Sequence, residues 1–117
     1  MGAPWKIALY AADETTANRA AKAAYARIEQ LNGVLSDYDP ESELSRLSDT
    51  APSASPVPVG DDLWRVLEFS QALSEKSDGA FDITVGPEVK VWRKARRTKE
   101  MPSADLLAAA REATGFR

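Results

Sequence analysis

Ser77-Asp78-Gly79-Ala80-Phe81-Asp82-Ile83-Thr84-Val85-Gly86-Pro87 is the stretch around which the chain is organised. Between its two glycines lie one aromatic ring, one carboxylate and one hydroxyl. Glycine lets the backbone adopt positive φ or approach a ligand closely, and proline stops a helix and fixes the exit direction. Two readings follow. In the first, Gly79 ends a helix, Ala80-Phe81-Asp82-Ile83 starts a strand, and Gly86-Pro87 turns it. In the second, backbone groups beside Gly79 and Ala80 lie open to a ligand, Phe81 packs beneath it, and Asp82 accepts hydrogen bonds from a ring N–H or a hydroxyl.

Upstream of this stretch, Leu63, Val66, Leu67 and Leu73 keep helical spacing, with Asp61 or Asp62 available as a cap. Residues 50–60 contain three prolines and a closing glycine, and read as an extended connector. Before them, Asp39-Pro40 resembles a cap and first-turn proline, which predicts a short helix over Glu41 to Leu47. Ala17, Ala21, Ala24, Ile28, Leu31 and Leu35 form one apolar stripe, the signature of a helix of about five turns with Asp13 to Thr16 as its capping region. At the start, Trp5, Ile7 and Leu9 alternate with Lys6, Ala8 and Tyr10, the period of a half-buried strand. Downstream, Val89, Val91 and Trp92 among Lys90, Arg93 and Lys94 predict a short helix. Ser103 then caps a last one carrying Leu106, Leu107 and Ala110.

Composition narrows the chemistry. The 117 residues suit one domain or part of a larger one. With neither cysteine nor histidine, thiolate nucleophiles, disulfides and imidazole bases or ligands are excluded from these residues. A metal held here would need oxygen ligands and would be a hard ion. Asp37, Asp39, Glu41 and Glu43 alternate, but a calcium loop starting at Asp37 would want glycine and glutamate where Ser42 and Ser48 stand. These acids therefore read as a solvated, helix-capping turn. Tyr38, among them, is either a core tyrosine with its hydroxyl at the rim or a wall for a flat ring. Arg93, Lys94, Arg96, Arg97 and Lys99 form a basic cluster, read as a solvated helix face. Phosphate or nucleic-acid contact is the alternative. The net charge of −3 argues against general nucleic-acid binding. No apolar run approaches a membrane span, and the first residues carry no signal-peptide pattern. No Walker or G-x-G-x-x-G phosphate loop and no G-x-S-x-G elbow occurs.

Four pieces in order resemble the N-terminal part of the ApbE family of FAD:protein FMN transferases. These are Met1-Gly2 before a strand; Leu35-Ser36-Asp37-Tyr38 leading to Ser42-Glu43-Leu44-Ser45-Arg46-Leu47; Gly79-Ala80-Phe81-Asp82-Ile83-Thr84-Val85-Gly86-Pro87; and Trp92. The sequence departs from the family at Ala3 for a usual threonine, Ser48 for a frequent asparagine, and Glu88 for a usual leucine. The resemblance covers essentially the whole chain, but a third to a half of a family member. It implies an α+β, T-fold-like flavin transferase fold, incomplete here, with helices around a small sheet whose partner strands lie elsewhere. It also implies that residues 1–117 are the N-terminal portion of a single domain.

The implied activity is magnesium-dependent transfer of FMN from FAD onto a threonine or serine hydroxyl of a target flavoprotein, with release of AMP. Family relatives that hydrolyse FAD to FMN and AMP are one alternative, and a non-catalytic flavin-binding or interaction module is the other. Carried over by position, Met1, Tyr38, Ala80, Phe81 and Asp82 contact FAD, while Arg46 and Thr84 serve the loop architecture. No catalytic residue or magnesium ligand is assigned in this chain, because the family's later aspartate, threonine and histidine-containing motifs have no counterpart in it. The chain alone is therefore expected to be inactive. Family members are often exported and membrane-anchored on the periplasmic side.

Overall fold

Asp13 opens the first helix. Its carboxylate accepts from the Thr16 amide at 2.7 Å and from the Thr16 hydroxyl at 3.0 Å, which satisfies a donor that the first helical turn leaves without a partner. These hydrogen bonds hold the Asp13 carboxyl below the usual aspartate value of 3.8. From this cap α1 runs over Glu14–Leu35 in the computed structural model, which describes residues 4–117. It is followed by α2 (Glu43–Asp49), α3 (Asp61–Lys76), α4 (Gly86–Thr98) and α5 (Ala104–Glu112). Two compact units divide the chain, the first ending at Arg65 and the second running from Val66 to Arg117, so the division falls inside α3.

In the first unit α1 packs against α2. The turn between them is built on serine. Ser42, fully buried, accepts from the Ser45 amide at 3.0 Å as the N-cap of α2 and donates to the Ser36 carbonyl at 2.6 Å. One hydroxyl thus starts a helix and ties it to the end of the preceding one. Asp39 is not the cap that the sequence suggested. Its carboxylate accepts from the Glu41 amide at 2.9 Å, closing a local turn two residues upstream of the real start. Gly60 precedes α3, its amide donating to the Glu43 carboxylate and its carbonyl accepting from the Trp64 amide at 2.9 Å. Asp61 and Asp62 therefore sit in the first turn, where carboxylates favour the positive end of the helix dipole.

Asp62 also pairs with Arg27 of α1 at 2.6 Å. Hydrogen bonding to this guanidinium holds the Asp62 carboxyl below the usual value of 3.8. A depressed folded-state pKa stabilises the protein above the unfolded value, and that contribution disappears as pH falls through the lower folded value. Thermal melts of the full-length protein and its Asp62→Asn variant should therefore differ at pH 6 and converge as pH falls below the ordinary aspartate value of 3.8 and the carboxylate takes up its proton. Curves that stay apart throughout the acid range would refute this role for the pair.

In the second unit α4 packs against α5. Ser103 caps α5 by accepting from the Leu106 amide at 3.3 Å. Pro87 stands in the first turn of α4, where its missing N–H costs no helical hydrogen bond. Along α3, Leu63, Ser70 and Ser74 are buried, at offsets of seven and eleven residues that return to one helical face. Val66, expected on the inward stripe, lies beside that face and is 42% exposed.

The α+β expectation is corrected by the structure: the described residues form helices and contain no strand. The alternation of Trp5, Ile7 and Leu9 is real, but a strand is defined by a ladder to a neighbour, and no described segment offers one. The tie at Trp5 is instead its carbonyl, which accepts from the Tyr25 hydroxyl of α1 at 3.3 Å. The second expected strand, starting at Ala80, is replaced by turns for reasons that lie in its hydrogen bonds. Gly86-Pro87 begins a helix rather than turning a strand.

Candidate functional site

The loop joining α3 to α4 starts with a helix terminus. Asp78 adopts the left-handed conformation at φ 49°, with Gly79 following at φ 82°. The Gly79 amide donates to the Ser74 carbonyl at 2.9 Å and the Asp78 amide to the Glu75 carbonyl at 3.2 Å. These are the two bonds of a Schellman motif, in which the left-handed position is usually glycine. Here Asp78 occupies it, one residue before the glycine that the sequence marks as the stop.

The amides that follow are also committed. Ala80 N–H donates to the Ser77 carbonyl at 3.1 Å, and Phe81 N–H donates to the Ser77 hydroxyl at 3.1 Å. With Ser77 N–H on the Leu73 carbonyl at 2.9 Å, five consecutive amides from Ser77 to Phe81 are used inside the loop and helix end. Of the backbone groups beside Gly79 and Ala80 that were expected to lie open to a ligand, the amides are therefore already taken. Among the described residues, no hydrogen bond reaches the carbonyls of Gly79, Ala80 and Phe81. Ala80 is exposed and Phe81 is 38% exposed, so an apolar surface accompanies them.

Asp82 is half-buried and organised by Thr84. Asp82 Oδ1 accepts from the Thr84 amide at 2.8 Å and from the Thr84 hydroxyl at 2.7 Å. The same Thr84 oxygen accepts from the Gly115 amide at 2.7 Å. Around this relay the last residues fasten onto the loop. A Cβ placed on Gly79 would lie 3.1 Å from Phe116 Cε1, so the ring rests against the glycine. The Phe116 carbonyl accepts from Gln71 Nε2 at 3.3 Å, and Arg117 pairs with Asp78. The sequence hid this arrangement in part. The Asp-x-Thr spacing is a local turn signal that reading could have used, whereas nothing at Gly115 or Phe116 pointed some thirty residues back.

Of the expected FAD-contacting residues, Ala80, Phe81 and Asp82 stand together in this loop. Tyr38 belongs to the first unit, 71% exposed, with its amide donating to the Ser36 hydroxyl at 3.4 Å. Met1 lies outside the described residues. Among the described residues no three acidic side chains converge, so they form no cradle that fits a magnesium ion. The basic cluster falls on α4 and its end: Lys94, Arg96, Arg97 and Lys99 are exposed, and Arg93 is half-buried. Cations in the last helical turn also complement the negative end of the dipole. No described helix is long and apolar enough to cross a membrane.

Comparisons with known proteins agree on one family. The family model described as the ApbE family matches residues 1–117. A FAD:protein FMN transferase of Klebsiella pneumoniae (strain 342) is 30% identical over 99% of this chain and 33% of its own length. One from Treponema pallidum (strain Nichols) is 36% identical over 77% of this chain and 25% of its own length. Among solved structures, the apo form of Pseudomonas stutzeri flavinyl transferase ApbE superposes with a TM-score of 0.73 at 31% identity, covering 85% of this chain and 32% of that one. The chain spans about a third of the length of the curated relatives it matches.

Proposed function

The chain belongs to the ApbE family, and from that premise we propose that the full-length protein carrying it transfers FMN from FAD to a threonine or serine hydroxyl of a target flavoprotein, releasing AMP. The observation that carries the proposal is the loop from Gly79 to Val85, where the residues matched to FAD contacts are held by a closed set of internal hydrogen bonds. A ligand-binding segment benefits from such rigidity because little ordering entropy remains to be lost on binding.

Within this reading, Phe81 and Ala80 offer an apolar surface to the flavin ring system. The carbonyls of the turn that carry no internal hydrogen bond among the described residues and the Asp82 carboxylate accept from its N–H and hydroxyl groups. Tyr38 supplies an aromatic face, and Met1 a further contact. The proposal includes magnesium dependence, with the ion's ligands outside the described residues, and assigns this chain recognition of FAD rather than an acid, a base or a metal site.

The test is to incubate the full-length protein with FAD, magnesium and a threonine-bearing target, and to follow flavin fluorescence on the denatured target together with AMP. Covalent flavin on the target and stoichiometric AMP are expected. AMP without covalent flavin would replace transfer by FAD hydrolysis. Neither product would reject both enzyme readings and leave a flavin-binding or interaction module.

A further inference from the structure

We propose that Thr84 is a positioning residue for FAD, relaying the backbone at Gly115 onto the Asp82 carboxylate; this rests on the reading of Asp82 as a flavin contact. A threonine hydroxyl has one proton to give. Thr84 sends it to Asp82 Oδ1 at 2.7 Å while its oxygen accepts from Gly115 N–H at 2.7 Å. The accepted bond polarises the hydroxyl and fixes its torsion, so both its position and the direction of its proton are set.

The Thr84 amide reaches the same carboxylate oxygen at 2.8 Å. Two donors on Oδ1 pin the carboxylate plane, and Oδ2, which has no hydrogen bond among the described residues, is thereby aimed in one direction. A ligand N–H or O–H then meets an oriented acceptor instead of a rotating one. The Phe116 ring against Gly79 keeps the segment that carries Gly115 on the loop. Residues 115 and 116 thus bear on the flavin contact through Thr84, without touching the ligand.

The experiment compares full-length wild type, Thr84→Val and Thr84→Ser by FAD titration, monitored through flavin fluorescence, and by hydrogen–deuterium exchange of the peptide containing Gly115. Valine keeps the shape and removes both hydrogen bonds, whereas serine keeps them. Thr84→Val should weaken FAD binding about tenfold, the effect of losing roughly one well-placed hydrogen bond, and should speed exchange at Gly115. Thr84→Ser should stay within about twofold of wild type in both readouts, a rescue that general loss of packing would not produce. Valine binding FAD like wild type, or serine failing as badly as valine, overturns the proposal. So does a Gly115 amide that exchanges freely in the wild type, a result that stands even if the valine variant does not fold. An Asp82→Ala variant that binds FAD normally would instead show that the flavin reading of the loop has failed.

Discussion

Gly79→Val is expected to destabilise the full-length protein by roughly 2–5 kcal/mol, combining the strain of a side chain in left-handed backbone with overpacking against a neighbour. Gly79 sits at φ 82°, and its added Cβ would stand 3.1 Å from the Phe116 ring. A branched side chain brings further atoms toward that ring, so the loop rotates out of left-handed geometry or the ring leaves. Either route disturbs the Ala80-Phe81-Asp82 segment, and FAD affinity should fall along with the denaturant midpoint. Asparagine tolerates positive φ better than other residues with a Cβ. Gly79→Asn should therefore fall between wild type and Gly79→Val in urea unfolding. A valine variant with an unchanged midpoint would show that the ring does not constrain this position.

Leu63→Ala should lose about 2–5 kcal/mol, the range for truncating a fully buried leucine when the surroundings relax only in part. Leu63 is completely shielded, and Ala110 is the other buried apolar residue among those described. Trp64, its neighbour in sequence, is 57% exposed, so Trp64→Ala provides the contrasting case. It changes far more side-chain volume but less buried area, and a smaller loss is expected. Equal effects from the two substitutions would show that sequence-local helix stability, rather than burial, governs the start of α3.

The helices were legible because their signals are local. The α1 stripe from Ala17 to Leu35 and the Ser103 cap each act within a few residues, and each lies in the helix that the sequence suggests. Boundaries failed where two side chains of similar chemistry competed. Asp39 and Ser42 can both cap, and the buried bond from Ser42 to the Ser36 carbonyl selects Ser42. The strand at Trp5 to Leu9 was misread because alternation reports a side-chain period and says nothing of whether a neighbour exists to form the ladder. At the loop, the ligand reading of the motif from Gly79 to Pro87 had the backbone groups beside Gly79 and Ala80 open, whereas their amides are taken inside the turn. Ser77 takes the amides of both Ala80 and Phe81, with its carbonyl and its hydroxyl respectively, a use of serine that no spacing rule would have announced.

Every amide from Ser77 through Phe81 has a fixed partner inside the loop or helix end, Asp82 and Thr84 close the next turn, and the Val85 carbonyl already accepts from Val89 in α4. The chain therefore has no slack between these two helices. One added residue within the loop would move its donors off their acceptors. The connector at 50–60 is different in kind, with many of its residues exposed and its serines bonded to near neighbours. Length variation among homologous chains should accumulate there, while the distance in residues from Ser77 to Gly86 stays constant.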